Sequence, residues 1–415
     1  MSRLAHWAVF TDNDSRRGEF ITSLLEGNAP KDFEPFGRKA GALYSKSALD
    51  RFLEEEARHD QHILTDPEQQ ELKTMSSGER KKALLTYLLK KEPDYLILVN
   101  PFDNLDAPSV NSLEKLLTEL SDRIPIIQIL SRRSDMLPFA SRLAYLNGGE
   151  LVEIDKNESE PSQDPGKAQL ADNIPPPPGE AGFDQGLLVR FTRVSVAYGD
   201  RTILKDINWE IRKGEYWQLR GENGSGKSTL LSMISGDNPK AYGQDLHLFG
   251  HQKGSGETVW DLKHHIGYFS PAMIDRFRGY HSLENMIISG LTDSIGLYTQ
   301  PTATQQELAR DWLRFLRLDP YSQHYFHEIS EGVQRLVMCA RAMVKHPPLL
   351  ILDEPTAGLD DDSAALVVSL VNAMARQSRT AIIYVSHREE HGLEPEKIFQ
   401  LNTRPQGSVG EVIVP

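Results

Sequence analysis

A phosphate-binding pattern stands in the second half of the 415-residue chain. Gly221-Glu222-Asn223-Gly224-Ser225-Gly226-Lys227-Ser228-Thr229 fits G-x-x-x-x-G-K-[ST], between a predicted strand, Tyr216 to Arg220, and a predicted helix, Ser228 to Ser235. Glycines let the backbone fold tightly, so that its N–H groups point inward at phosphate oxygens. The helix N-terminus that follows adds a partial positive charge. Lys227 would neutralise the β- and γ-phosphates, and the Ser228 hydroxyl would bind Mg²⁺. Alone, the pattern says nucleoside triphosphate binding and leaves the reaction open.

Three further residues supply the chemistry of hydrolysis. The apolar run Leu349 to Leu352 reads as a buried strand ending in Asp353-Glu354. Adjacent carboxylates there are costly unless a cation sits nearby. Asp353 would hold Mg²⁺, and Glu354 would act as general base on the attacking water. A second strand, Thr380 to Val385, ends in Ser386-His387, where the imidazole would sit beside the γ-phosphate and orient water and Glu354. Ser330-Glu331-Gly332 lies 23 residues before Asp353, and Ser76-Ser77-Gly78-Glu79 lies 23 before Val99. A serine and glycine opening a helix form either an ordinary cap or an anion site of hydroxyl, N–H and dipole. Equal spacing at two places favours the anion site.

Short apolar strands (Tyr95 to Val99, Ile124 to Leu130, Leu349 to Leu352, Ala381 to Val385) alternate with helical stretches such as Leu308 to Leu316. This predicts α/β domains on mostly parallel sheets. The chain carries an internal duplication. Trp217 to Asn223 resembles Trp7 to Asn13 at a separation of 210, and Asp360 matches Asp106 at 254, so the first copy is 44 residues shorter between these points. It also lacks a counterpart to residues 187–210. Between the copies, Glu158 to Gly182 is polar and includes Pro175 to Pro178. Such a segment tends to a stiff polyproline conformation and reads as a linker, with a solvated surface loop as the alternative. The expected domains are residues 1–154, a linker at 155–186, and residues 187–415.

Composition sets the boundaries. With 39% hydrophobic and 25% charged residues, the chain can bury real cores. A formal net charge of -13 gives no global attraction to phosphate backbones or anionic lipid, so no nucleic-acid partner is expected. The single cysteine, Cys339, makes no internal disulfide and no cysteine metal site, and reads as a small buried side chain. Met1 to His6 opens no signal peptide, and no apolar run reaches the ~18 residues of a membrane helix. A soluble, cytoplasmic protein is expected, at most peripheral at the inner face of a membrane.

Taken in order, phosphate loop, signature serine–glycine, Asp-Glu strand, Leu359-Asp360 and His387 resemble the ATP-binding-cassette family. Within it the chain is similar to tandem-cassette proteins associated with molybdate transport, through Ser289-Gly290 with Asp293 to Tyr298, Val344 to Asp360, and Pro101 to Asp106. The resemblance implies two P-loop NTPase domains paired head to tail, each ATP lying between the loop of one and the signature of the other. It implies ATPase activity with ATP and Mg²⁺. It gives Tyr198, 23 residues before Gly221, the choice between stacking on adenine and being an ordinary strand tyrosine. Ser76, Ser77, Gly78, Glu79 and Asp106 would complete an ATP site from the first copy. Two departures stand out. Pro271 replaces a glutamine that senses Mg²⁺ and couples to membrane subunits, and Glu331 and Val333 replace the glycine and glutamine usual in the signature.

The first copy is degenerate. Its loop reads Thr11-Asp12-Asn13-Asp14-Ser15-Arg16-Arg17-Gly18, without the needed glycines. Val99, Asn100 and Arg132 stand where Asp353, Glu354 and His387 stand. Loss of a general base alone costs ~10²–10⁴-fold. In the implied pairing, the intact loop faces the nearly regular Ser76-Ser77-Gly78-Glu79, and the eroded loop faces the altered Ser330-Glu331-Gly332. One competent composite site within a monomer is therefore expected. A homodimer pairing two second copies would instead place Glu331 at each ATP. The partner stays open among a membrane-embedded permease subunit, a cytoplasmic protein, and none in the case of a non-hydrolysing nucleotide sensor.

Overall fold

The computed structural model describes residues 4–12, 15–59, 62–65, 71–154, 170–179, 183, 185–277, 279–388 and 390–415. The chain divides into two compact units, residues 1–164 with 358–361, and residues 165–357 with 362–415.

The first unit is built on a six-stranded sheet. Its strands are β1 (Trp7–Thr11), β2 (Gly41–Tyr44), β3 (Tyr95–Val99), β4 (Ile126–Leu130), β5 (Arg142–Asn147) and β6 (Glu150–Ile154), in the order β2-β3-β4-β1-β5-β6. Every pairing is parallel except the β5–β6 hairpin. Helices cover both faces. Alternation along β3 sends Tyr95 and Ile97 into a cluster with Phe20, Phe33 and Phe36, and Leu96 and Leu98 into another with Leu84, Leu85 and Leu117. Strand β4 starts two residues later than the apolar run suggests, after Pro125, which has no N–H for the ladder.

The second unit carries a sheet of the same order. Its strands are β9 (Tyr216–Gly221), β12 (Ile266–Phe269), β13 (Leu349–Asp353), β14 (Ala381–Val385), β15 (Lys397–Asn402) and β16 (Val409–Ile413), arranged β12-β13-β14-β9-β15-β16. To this it adds an antiparallel sheet of β7 (Leu187–Tyr198), β8 (Arg201–Arg212), β10 (Leu246–Leu248) and β11 (His251–Gln252). Strands β7 and most of β8 are the part without a first-copy counterpart. Phe191, Ile207, Trp209, Trp217 and Phe399 join the two sheets in one apolar core. Cys339 is buried on helix Glu331–Met343, and burial pushes its thiol up to about 12.

Helix Ala303–Phe315 begins five residues before the predicted stretch, because Thr302 and Gln305 form a capping box at its start. The segment expected to act as a linker is described at 170–179, 183, 185 and 186, and here it lies against the second unit. Gln377 Nε2 donates to the Asp172 carbonyl at 2.9 Å, the Ile174 N–H donates to Gln377 Oε1 at 2.8 Å, and His346 Nε2 donates to the Pro175 carbonyl at 2.8 Å. The remainder of the expected linker, residues 155–169, 180–182 and 184, lies outside the described residues.

Candidate functional site

The C-terminal ends of β9, β13 and β14 lie side by side, since β14 pairs with both neighbours. The loop after β9 can wrap an anion only because three glycines take conformations closed to other residues. Gly224 has φ 77° and Gly226 φ 101°. At Gly221 (φ 159°) the obstacle is space, since a Cβ would meet Ser225 Oγ at 2.5 Å. Helix Lys227–Ile234 then starts, and Lys227 folds back so that its Nζ donates to the carbonyls of Gly221 at 2.7 Å and Glu222 at 3.0 Å. Ser225 Oγ is buried without a hydrogen-bond partner among the described residues. A loop with no room for a Cβ at Gly221 or Gly226, an orphaned hydroxyl and a buried ammonium together fit a bound phosphate group.

The acids sit across from this loop. Lys227 Nζ lies 3.4 Å from His387 Nδ1, and His387 Nε2 is hydrogen-bonded to Glu354 Oε1. Burial pushes the Glu354 carboxyl up, but the hydrogen bond and charge of His387, with Lys227 and Arg335, bring it below the usual carboxylate range. Asp353 goes the other way. Burial, then the neighbouring Glu354 charge, push it up to about 6, against the pull of His387 and Lys227. Two carboxylates that cannot both ionise cheaply side by side are what a divalent cation would relieve, so Asp353 and Ser228 fit Mg²⁺. Glu354 has φ 51°, and its N–H donates to the Val385 carbonyl at 3.0 Å. The turn after it is pinned where Thr356 Oγ1 donates to Glu390 Oε1 at 2.6 Å.

Two contributors were not legible in the sequence. The Tyr268 hydroxyl donates to Asp353, and its own ionisation is pushed far up by burial and by Asp353. Arg335 is buried on helix Glu331–Met343 within electrostatic reach of Glu354. Neither stands in a recognisable local pattern; only the fold brings them there. Tyr198 ends β7 as a residue 47% exposed, its hydroxyl accepting from Asn238 Nδ2 at 3.0 Å and Lys240 Nζ lying 5.9 Å from the ring centre. Pro271 opens the short helix Pro271–Arg276, where its missing N–H costs nothing.

In the first unit the corresponding positions hold different chemistry. Asn13 and Asp14 lie outside the described residues. Arg16 takes φ -75° where Gly226 takes 101°, and its N–H donates to the Gly148 carbonyl at 2.7 Å, so this loop is tied to the β5–β6 hairpin. Asn100 keeps the left-handed backbone of Glu354 at φ 42°, and its amide exchanges two hydrogen bonds with Ser131. At the serine–glycine helix, Ser76 and Glu79 form a capping box, with bonds of 3.3 and 2.7 Å, and Ser77 Oγ donates to the Asn104 carbonyl at 3.1 Å. A Cβ at Gly78 would meet Ser109 Oγ at 2.8 Å. Asp106 caps helix Ala107–Ser121, accepting from the Ser109 N–H at 3.0 Å. In the second unit Ser330 makes no side-chain cap bond, and Glu331 instead accepts from Arg335 Nη2 at 2.9 Å.

The comparisons agree with this geometry. The ABC transporter family profile matches residues 204–357. The ABC transporter ATP-binding protein ModF of Escherichia coli (strain K12) is 40% identical over 331 residues, covering 77% of this chain and 67% of its own. An uncharacterised ABC transporter ATP-binding protein of Schizosaccharomyces pombe is 30% identical over 76% of this chain, which spans 65% of that protein's length. Among solved structures, a model of ribosome-bound archaeal Pelota and ABCE1 covers 99% of this chain at a TM-score of 0.64 and 14% identity, a likeness of fold. Among the described residues no helix is long and apolar enough to cross a membrane. The chain belongs to the ABC family of ATP-binding, Mg²⁺-dependent ATPases and has its mixed α/β P-loop fold.

Proposed function

We propose that this chain hydrolyses ATP at one competent site, whose loop and acids come from the second copy and whose signature, Ser76 to Glu79 with Asp106, comes from the first. The observation that carries this reading is the joined set Lys227, His387, Glu354 and Asp353 at the strand ends of the second unit, against Arg17, Ser131, Asn100 and Val99 in the first, where the strand register matches Ser131, and not the expected Arg132, to His387. The loop from Gly221 to Thr229 holds the phosphates, with Tyr198 against the base. Ser228 and Asp353 would hold Mg²⁺, which supplies charge neutralisation on the phosphate oxygens. Glu354 takes a proton from the attacking water, His387 orients Glu354, and Tyr268 holds Asp353 in place. Pairing of the copies within a monomer accounts for the regular signature surviving on the copy that lacks a loop.

The work this hydrolysis does is, by resemblance to tandem-cassette proteins, the ATP-binding part of a transport process of the molybdate type, on the cytoplasmic side of a membrane subunit. A specific observation favours a second reading, a regulatory or mechanical ATPase acting on a cytoplasmic partner: Pro271 opens a helix where the family's coupling glutamine would stand. A membrane protein that copurifies supports the first reading, and a cytoplasmic partner the second.

Steady-state ATPase of the purified chain beside Lys227→Ala and Ser77→Arg tests the composite site. Both variants should abolish the activity. Full activity in Ser77→Arg would show that the first-copy signature does not face the ATP, and would replace the internal pairing with a homodimer or a partner-completed site.

A further inference from the structure

At the N-terminal ends of β13 and β14, away from the phosphate loop, the second unit holds a groove of about 990 Å³. Pro347 and Pro348, just before β13, form part of its floor, whereas Asp353 ends the same strand. Five residues of strand put the two about 16 Å apart. One wall is the stretch Ile174 to Gly179, held by the Ile174–Gln377 and His346–Pro175 hydrogen bonds.

The charge of this groove runs against that of the whole chain. Lys213, Lys345, Arg376 and Arg379 line it, together with three histidines, and among the described residues no carboxylate does. Among the described residues, the acids paired with these cations are Asp293, bonded to Lys345, and Glu394, bonded to Arg376, so they neutralise two of the four permanent charges. Lys213 Nζ donates to the Phe183 carbonyl at 2.6 Å. Arg379 is exposed and makes no hydrogen bond or ion pair with any described residue. Lys213 and Arg379 keep no acidic partner among the described residues on this concave face of a protein of net charge -13, and a bound anion would balance the excess positive charge. The walls beside them are apolar, from Phe183, Ile174 and the prolines. The volume lies at the upper end of the range for small-molecule sites and far exceeds that of one bare oxyanion.

We infer that this groove is a second ligand site, for a small organic molecule carrying one or more phosphoryl groups. The cations would take the phosphoryl oxygens, Arg379 with its free guanidinium fork foremost, and the proline wall would cover the carbon skeleton. A ligand seated there would touch the Ile174–Gly179 stretch and the cassette at once, and so hold that stretch in place.

The full chain, saturated with Mg²⁺ and ADP so that the phosphate loop is filled, is titrated by calorimetry with fructose 1,6-bisphosphate and separately with inorganic phosphate. Saturable one-to-one binding of the bisphosphate is expected, tighter than that of inorganic phosphate and weakened by added salt. Arg379→Glu should weaken it about ten- to a hundredfold, as expected for loss of a charge-assisted hydrogen bond, and Arg376→Gln should weaken it less. Arg379 is exposed and unpaired, so the melting temperature of Arg379→Glu should match wild type. Equal affinity for both probes would keep the phosphoryl site and assign it to the free ion. No saturable binding with ADP present, or binding unchanged in Arg379→Glu, would overturn the inference.

Discussion

Replacing Glu354 with Gln separates the chemistry of the site from its construction. The carboxylate accepts a hydrogen bond from His387 and carries a charge held below its usual range. An amide keeps the size and one acceptor but cannot take a proton from water. General-base loss typically costs 10²–10⁴-fold, or about 3–5 kcal/mol of barrier at 1.36 kcal/mol per tenfold. Stability should change little. Exchanging a charge-assisted for a neutral hydrogen bond costs about 1 kcal/mol, and removing the charge that pushes Asp353 up offsets part of it. That is a shift of about 2–4 °C in a unit of this size. The first copy has already shown that an amide fits: Asn100 occupies the same strained backbone, φ 42° against 51°. The assay is phosphate release at saturating ATP, with ATP retained on the protein measured in parallel. Turnover should drop at least a hundredfold while ATP stays bound. Turnover within tenfold of wild type would remove Glu354 from the role of base, and loss of ATP binding would mean that its charge builds the site.

The phosphate loop makes a graded prediction. Gly226→Ala combines φ 101° with a Cβ 2.5 Å from Leu204 Cδ2, and should cost about 1–3 kcal/mol and lower ATP affinity at least tenfold, whereas Gly224→Ala, at φ 77° with nothing within 4 Å, should be milder; melting curves with and without ATP check both. Ser76→Ala should cost about 1 kcal/mol through loss of the helix cap. Glu79 is held low by its Ser76 hydrogen bonds, so its share of that stability is present above about pH 4.5 and is lost as the pH falls through its folded value, which denaturant titrations at pH 7 and pH 4 would register. His6 is held low by burial, and its Nδ1 accepts the Ile126 N–H at 3.2 Å, which a protonated ring cannot do. The unfolded chain therefore takes up a proton first, and stability should fall as the pH drops below about 6.5; a His6→Gln variant with the same slope from pH 8 to 5.5 would refute this.

Much of the second copy's site was legible because its chemistry is local. The phosphate loop is nine consecutive residues, and Asp353-Glu354 and His387 each follow an apolar strand that announces where it ends. What the sequence hid was non-local. Tyr268 reaches Asp353 only because β12 pairs with β13, and Arg335 reaches Glu354 only through the packing of its helix. Asp106 and Ser76, singled out as nucleotide ligands, lie at helix starts where capping already occupies their side chains. One group can cap a helix and present that helix to an anion, so periodicity alone could not separate the two uses. The proline-rich segment showed the opposite limit. Its composition said that it could not form a core, and said nothing about the surface it could lie upon.

The duplication explains why the first copy eroded without collapsing. Left-handed backbone recurs at equal places in the two copies: Glu92 and His346 both at φ 49°, Asn100 at 42° and Glu354 at 51°, Asn104 at 57° and Gly358 at 78°. Such conformations cost of order 1 kcal/mol or more in residues other than glycine and persist only where the surroundings impose them. Two of the three first-copy residues at these places are asparagine, which tolerates that region better than most. At the end of β3, Val99 stands where Asp353 stands, a β-branched residue suited to a strand with no cation to hold. Each replacement thus satisfies the inherited backbone and drops only the chemistry. The sheet order is kept, the serine–glycine helix is kept with its capping box, and the loop glycines are lost. Drift against a folding constraint alone would spare the core and the caps alike. The first copy's helix start keeps a capping box at Ser76–Glu79, and the second copy's carries a Glu331–Arg335 bond in its place.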